Sequence, residues 1–128
     1  MKALMMITLV MGSVWSGNQA NVIANISSAL KSGNTSAINQ YFANSVDVTI
    51  LDFQDFLDKG ATIAKVNAFF ADKSISGYKI IHEGKSKGRD SVYTIGTLKT
   101  QQGNYKIYMF ITTSHEGSNF IEEIKIEQ

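Results

Sequence analysis

From Ser74 to the C-terminus the sequence is written in four alternating runs: Gly77 to Glu83, Ser91 to Thr100, Tyr105 to Ser114 and Phe120 to Glu127. The segments between them, "GKSKGRD", "QQGN" and "HEGSN", each contain glycine. A period of two places successive side chains on opposite faces of a strand, and glycine supplies the positive φ that tight reversals need. This half of the chain predicts a strand meander, and the residues before it must cover the meander's apolar face.

Those residues follow a different period. Val22, Ile23, Ile26, Ala29 and Leu30 recur at three- and four-residue spacing, which predicts an amphipathic helix over Asn21 to Ser32, ended by Gly33. In "SGNTS", Asn34 or Thr35 is placed to cap a short second helix with Ile38, Tyr41 and Phe42 on one side. Val46 to Leu51 reads as a strand by its β-branched alternation, with Asp52 at the turn after it. Asp58 then precedes Ile63, Val66 and Phe70 at helical spacing and is the expected N-cap of a third helix, although Gly60 costs about 1 kcal/mol relative to alanine inside a helix. Helices segregated against one sheet make an α+β domain.

At 128 residues the chain has room for a single domain, expected over residues 21–128. Its opening, "MKALMMITLVMGSVWSGNQA", has one lysine, a run from Ala3 to Met11 that is apolar but for Thr8, and then small and polar residues. This is the layout of a secretory signal, and the run is too short for a spanning helix, which needs about 20 residues. Cleavage is expected after Ser16, or as late as Ala20. The expected location is therefore the periplasm or the outside of the cell, with no membrane span after processing. The chain has no cysteine, so packing alone must stabilise the exported domain, and neither a thiolate metal site nor a cysteine nucleophile exists. Without Lys2, basic and acidic residues stand at 11 each, which removes the positive surplus that nucleic-acid binding requires. No cofactor is expected.

The order of elements resembles the cone-shaped cystatin-like fold of nuclear-transport-factor-2-like proteins, in which a curled antiparallel sheet wraps around N-terminal helices. More narrowly, "ALKSGNTSAINQYFANSVDVTI", "VNAFFADK", "YKIIHEGKS", "YTIGTLKTQQGNYKIY" and "IEEIKIE" resemble a family of small exported Bacteroidetes proteins classed as a domain of unknown function. The resemblance covers nearly all of the chain after the signal. The "FLDKG" segment departs from the tyrosine-serine start of that family's third helix. The resemblance implies a fold and export, and it brings no catalytic residues.

Candidate sites are few. On a regular strand Tyr78, Ile80 and His82 share one face while Glu83 points the other way, so His82 and Glu83 form an acid–base pair only if a bulge re-aims one of them. A ligand pocket between helices and sheet is expected to be lined by Tyr41, Phe42, Phe70, Tyr78, His82, Met109 and Ile111, residues that serve equally as plain core. Cone-fold enzymes of the isomerase or dehydratase type move a proton with a cavity carboxylate, tyrosine or histidine. His82, Tyr41 and Tyr93 are the residues of suitable type, with Asp47 and Asp52 more readily solvated. His115 and Glu116 sit in a hairpin without a third donor nearby, so no metal site is expected.

Two surface features remain. Between Lys79 and Lys106 six basic residues face two acidic ones, with Lys85, Lys87 and Arg89 in one connection as an anion patch; the plainer role of such lysines is to keep a hairpin soluble and guard a sheet edge. In addition, Tyr93, Ile95, Tyr108 and Phe110 oppose an equally apolar set on the other face of their strands, so both faces of the meander demand cover. The helices cover one face. A second copy of the chain is the expected cover for the other, giving a homodimer that works as a non-catalytic binding or interaction module for a small ligand or protein.

Overall fold

The computed structural model describes residues 18–86 and 90–128. The proposed signal, residues 1–16, and the patch residues Lys87 and Arg89 lie outside them. Helix α1 (Asn18–Ser32) is followed by a 3-10 helix (Thr35–Tyr41), strands β1 (Phe42–Ile50) and β2 (Phe53–Asp58), helix α2 (Lys59–Ala71), and strands β3 (Ile75–Lys85), β4 (Ser91–Thr100), β5 (Gly103–Thr113) and β6 (Asn119–Glu127). The six strands form one open sheet in the order β2-β1-β6-β5-β4-β3. The α+β reading from sequence agrees with this layout.

Local chemistry explains the elements. The side chain of Asp58 accepts a hydrogen bond from the Ala61 amide at 2.8 Å, the N-cap its position in sequence implied. Gly33 takes φ 83° after α1, ending the helix in the left-handed region. The side chain of Asn34 caps no backbone amide, its Oδ1 accepting instead from Ser36 Oγ at 3.4 Å, and the second helix is a tighter 3-10 turn that stops at Tyr41. Phe42 belongs to β1 and is fully buried there.

Two features differ from the sequence reading. Strand β2 is additional. It is an edge strand with most of its side chains exposed, so it carries little alternation, and the reversal before it uses Leu51 at φ 55° where a glycine would have signalled a turn. The sheet is also not antiparallel throughout, because β1 and β6, the first and last strands, pair in parallel near its middle. Their distance along the chain hides this pairing from any local pattern.

The three helices lie on one face, α1 chiefly over β3 and α2 over β1 and β2. Ile26 and Leu30 of α1, Ile38, and Val66 and Phe70 of α2 are buried with Val48, Ile107, Met109, Ile124 and Ile126 from the sheet. Phe69 meets Tyr105 edge-on at 5.1 Å and Phe70 at 5.3 Å. Such pairs contribute about 0.5–1.5 kcal/mol beyond their buried area. Register shifts interrupt β1–β6, β3–β4 and β5–β6, and each extra residue bends its strand and sharpens its twist.

Candidate functional site

One of those shifts decides the placement of the histidine. Ile80 pairs with Gly96 but His82 pairs with Ile95, so Ile81 is an extra residue opposite nothing. The bulge turns His82 away from the Tyr78 and Ile80 side and onto the outer face of the sheet. The pocket assignment of His82 is thereby corrected. There, His82 Nε2 lies 2.9 Å from the Tyr93 hydroxyl, and the two rings sit 5.4 Å apart at 42°. Tyr93 in turn stacks on Tyr108 at 6.1 Å and 26°. Three rings from β3, β4 and β5 thus run side by side across the outer face.

Register extends this surface over the whole sheet. Tyr93 opposes Phe110, Phe110 opposes Glu123, Glu123 opposes Asp47, and Asp47 opposes Phe56. In the neighbouring row Ile95, Tyr108, Lys125, Thr49 and Gln54 follow one another. Tyr93, Ile95, Tyr108 and Phe110 are half-buried, and Phe56 is 68% exposed. Ile95, Lys106, Tyr108, Glu123, Lys125 and Glu127 line an open groove of about 310 Å³.

The electrostatics follow from the neighbours. Partial burial, then the nearby Asp47 carboxylate, holds the Glu123 carboxyl above its ordinary range, with Lys125 opposing. Burial pushes the Tyr108 phenol up, reinforced by Glu123 and Tyr93. Gln54 donates to Asp47 at 2.8 Å and satisfies part of that carboxylate. Glycine makes room for the ring row: a Cβ at Gly84 would stand 2.7 Å from the Tyr93 ring.

Beneath α1 the inner face is closely packed. Phe42, Phe70, Tyr78, Met109 and Ile111 are core residues, and the seam beneath α1 that Tyr78, Thr94, Met109 and Ile111 help to line offers 0 Å³ to water. Tyr41 is on the 3-10 helix, where its hydroxyl accepts from Asn25 Nδ2 at 3.2 Å. The hydroxyl end of the Tyr78 ring lies against Gly96, where no Cβ fits. Its hydroxyl and that of Thr94 are buried without a hydrogen-bond partner, and burial pushes the Tyr78 phenol up to about 12. Asp47 faces outward and Asp52 is an exposed turn residue. His115 and Glu116 are exposed in the β5–β6 hairpin, and among the described residues no group of three His, Asp or Glu side chains is placed to hold a metal. Lys85 is exposed at the end of β3.

The sequence reading missed the Asp47–Glu123 adjacency, which exists only through the parallel β1–β6 pairing. It placed Gly84 in the connection after Glu83, whereas β3 continues through it to Lys85, and it passed over Gly96, although a glycine inside a strand is itself a sign of close approach by a neighbouring group.

Comparisons with known proteins agree with this architecture. A structure from Bacteroides fragilis, described as a DUF4783 family protein, is 33% identical, has a TM-score of 0.72, and is covered over 95% of its length by 81% of this chain. An NTF-2-like protein of unknown function from Silicibacter pomeroyi is 13% identical with a TM-score of 0.61, over 91% of this chain and 97% of that one. A cystatin-like fold from the same organism is 14% identical with a TM-score of 0.55, over 83% and 72%. These two likenesses show the fold. No curated protein matches. The sequence profile of a domain of unknown function, DUF4783, matches residues 23–127, and the chain belongs to that family.

Proposed function

We propose that this chain is an exported, non-catalytic interaction module whose working surface is the outer face of its sheet, and that the partner on that face is a second copy of the chain. The observation that carries the reading is the row of His82, Tyr93 and Tyr108, open beside Ile95 and Phe110, on a face that no helix among the described residues covers. Apolar surface left open in this way favours association.

Charge supports a twofold arrangement. An axis crossing the strands between the Glu123 and Lys125 rows sets Glu123 against the second copy's Lys125, and Phe110 against its Tyr108. The cation arrives where two carboxylates, Asp47 and Glu123, already stand side by side. Export rests on the signal-like opening. Cleavage after Ser16 would leave α1 whole, including Gln19, whose side chain donates to Thr113 Oγ1 at 2.9 Å; cleavage after Ala20 would remove that contact. The alternative of a proton-transferring cavity loses its histidine to the outer face and its space to the packed seam.

The absence of native cysteine makes a direct test available. Single Ile95→Cys, Tyr108→Cys and Phe110→Cys variants are treated with a bismaleimide long enough to cross the roughly 10 Å between packed sheets, with Ala64→Cys on the exposed side of α2 as the control. At least one outer-face variant is expected to give a cross-linked dimer and the control none. Failure of all three, or equal linking of the control, overturns the reading.

A further inference from the structure

The sheet ends at β3, and a groove of about 640 Å³ follows this open edge. Lys31, Ser76, Lys79, Ile81, Thr97 and Lys99 line it together with the backbone-rich stretch at Gly77 and Tyr78. The three lysines come from three elements: the last turn of α1, β3 and β4. Tertiary structure has therefore gathered charges that are far apart in sequence. No carboxylate lines the groove, and among the described residues none of the three ammonium groups has an acidic partner within salt-bridge distance. The floor at Gly77 is open, since a Cβ there would meet nothing within 4 Å.

One lining residue does not suit a purely polar ligand. Ile81 is the bulged residue of β3, and it is 55% exposed beside the lysines. The same extra residue that sends His82 to the outer face leaves a large aliphatic side chain at the edge strand, within reach of whatever the lysines attract. Lysine is a point-charge ligand for phosphate, and an aliphatic neighbour adds affinity only for a molecule with an apolar part.

We propose that this groove seats the phosphate headgroup of an anionic lipid at a membrane surface, with Lys31, Lys79 and Lys99 around the phosphate and Ile81 against the adjoining hydrocarbon. Three lysines at an anionic surface are worth about a hundredfold in partition at moderate salt, and the attraction fades as salt rises. Lys79, Thr97 and Lys99 share the outer face with the ring row, beyond Ile95 toward the far end of β4, so the vesicle assay reads the lysines and cross-linking reads the rings.

The test is co-sedimentation of the processed protein with vesicles of phosphatidylcholine alone or in equal parts with phosphatidylglycerol. The expected result is binding to the anionic vesicles, reduced at least tenfold by K31Q/K79Q/K99Q and several-fold by I81S. K59Q/K65Q, on the α2 side, is expected to leave it unchanged. Equal binding to both vesicles, or anionic binding that survives the triple substitution, overturns the proposal. So does a response of the Lys79 and Lys99 amide resonances to inorganic phosphate without vesicle binding, which would assign the groove to small anions. Folding of each variant is checked by circular dichroism, and K31Q and K79Q alone are read if the triple variant fails to fold.

Discussion

His82 and Tyr93 meet on the outer face of the sheet because β3 carries one residue more than β4 across the Ile80–His82 step, which brings Nε2 to 2.9 Å from the hydroxyl. The pair is exposed, so its hydrogen bond competes with water. Tyr93→Phe is expected to cost no more than about 1 kcal/mol in a urea melt with an unchanged slope. A loss of several kcal/mol would mean that the contact organises the fold.

Gly96 and Gly84 each lie under a tyrosine ring, but only one ring is free to move. Tyr78 is 5% exposed over Gly96, so Gly96→Ala drives a methyl group into packed core and is expected to destabilise by about 1–3 kcal/mol. Tyr93 is half-buried over Gly84 and swings toward solvent, so Gly84→Ala is expected to cost less while breaking the contact to His82. Denaturant melts of the two variants give the comparison, and the reverse order would refute the packing account.

The Tyr78 hydroxyl is buried and unpaired. Removing it relieves a desolvation cost of about 1–3 kcal/mol, so Tyr78→Phe is expected to be neutral or more stable than the parent in thermal melts. Its phenol is pushed up to about 12 by burial. The folded state therefore keeps this proton where the unfolded chain has begun to lose it, and stability falls as pH rises from about 10 toward 12. Stability of Tyr78→Phe should be flatter over that window.

Glu123 titrates in the opposite sense to a salt-bridged acid. Its carboxyl is held above the ordinary range by burial and by Asp47, so the ionised form is disfavoured in the folded state. Stability is then gained as pH falls through its folded value and lost as pH rises. Glu123→Gln is expected to stabilise the separated chain at neutral pH by roughly 0.2–1 kcal/mol, the scale of cross-strand pairs, with the gain vanishing in acid. A stabilisation that persists in acid would show that charge is not its cause.

The parts of the fold that were legible in sequence are those governed by local chemistry. The stripe from Val22 to Leu30, the Asp58 cap and the glycine-bearing connections of the meander act within a few residues of themselves. Alternation also separated Ile107, Met109 and Ile111 from Tyr108 and Phe110, which do occupy opposite faces. What stayed hidden depends on chain-distant pairing or on an irregularity. Strand β2 has too few buried residues to show a period, the β1–β6 pairing joins the two ends of the domain, and a single bulge reverses the face of His82. The basic groove likewise exists only because α1 places Lys31 beside the β3 edge.

The central claim, that the outer face of the sheet is covered by a second copy, is tested most directly by light scattering during size exclusion of the chain lacking residues 1–16, at high micromolar concentration. The account predicts the mass of two chains, falling to that of one in Tyr108→Lys, which puts a charge among the rings. A wild-type mass of one chain throughout the concentration range would contradict it.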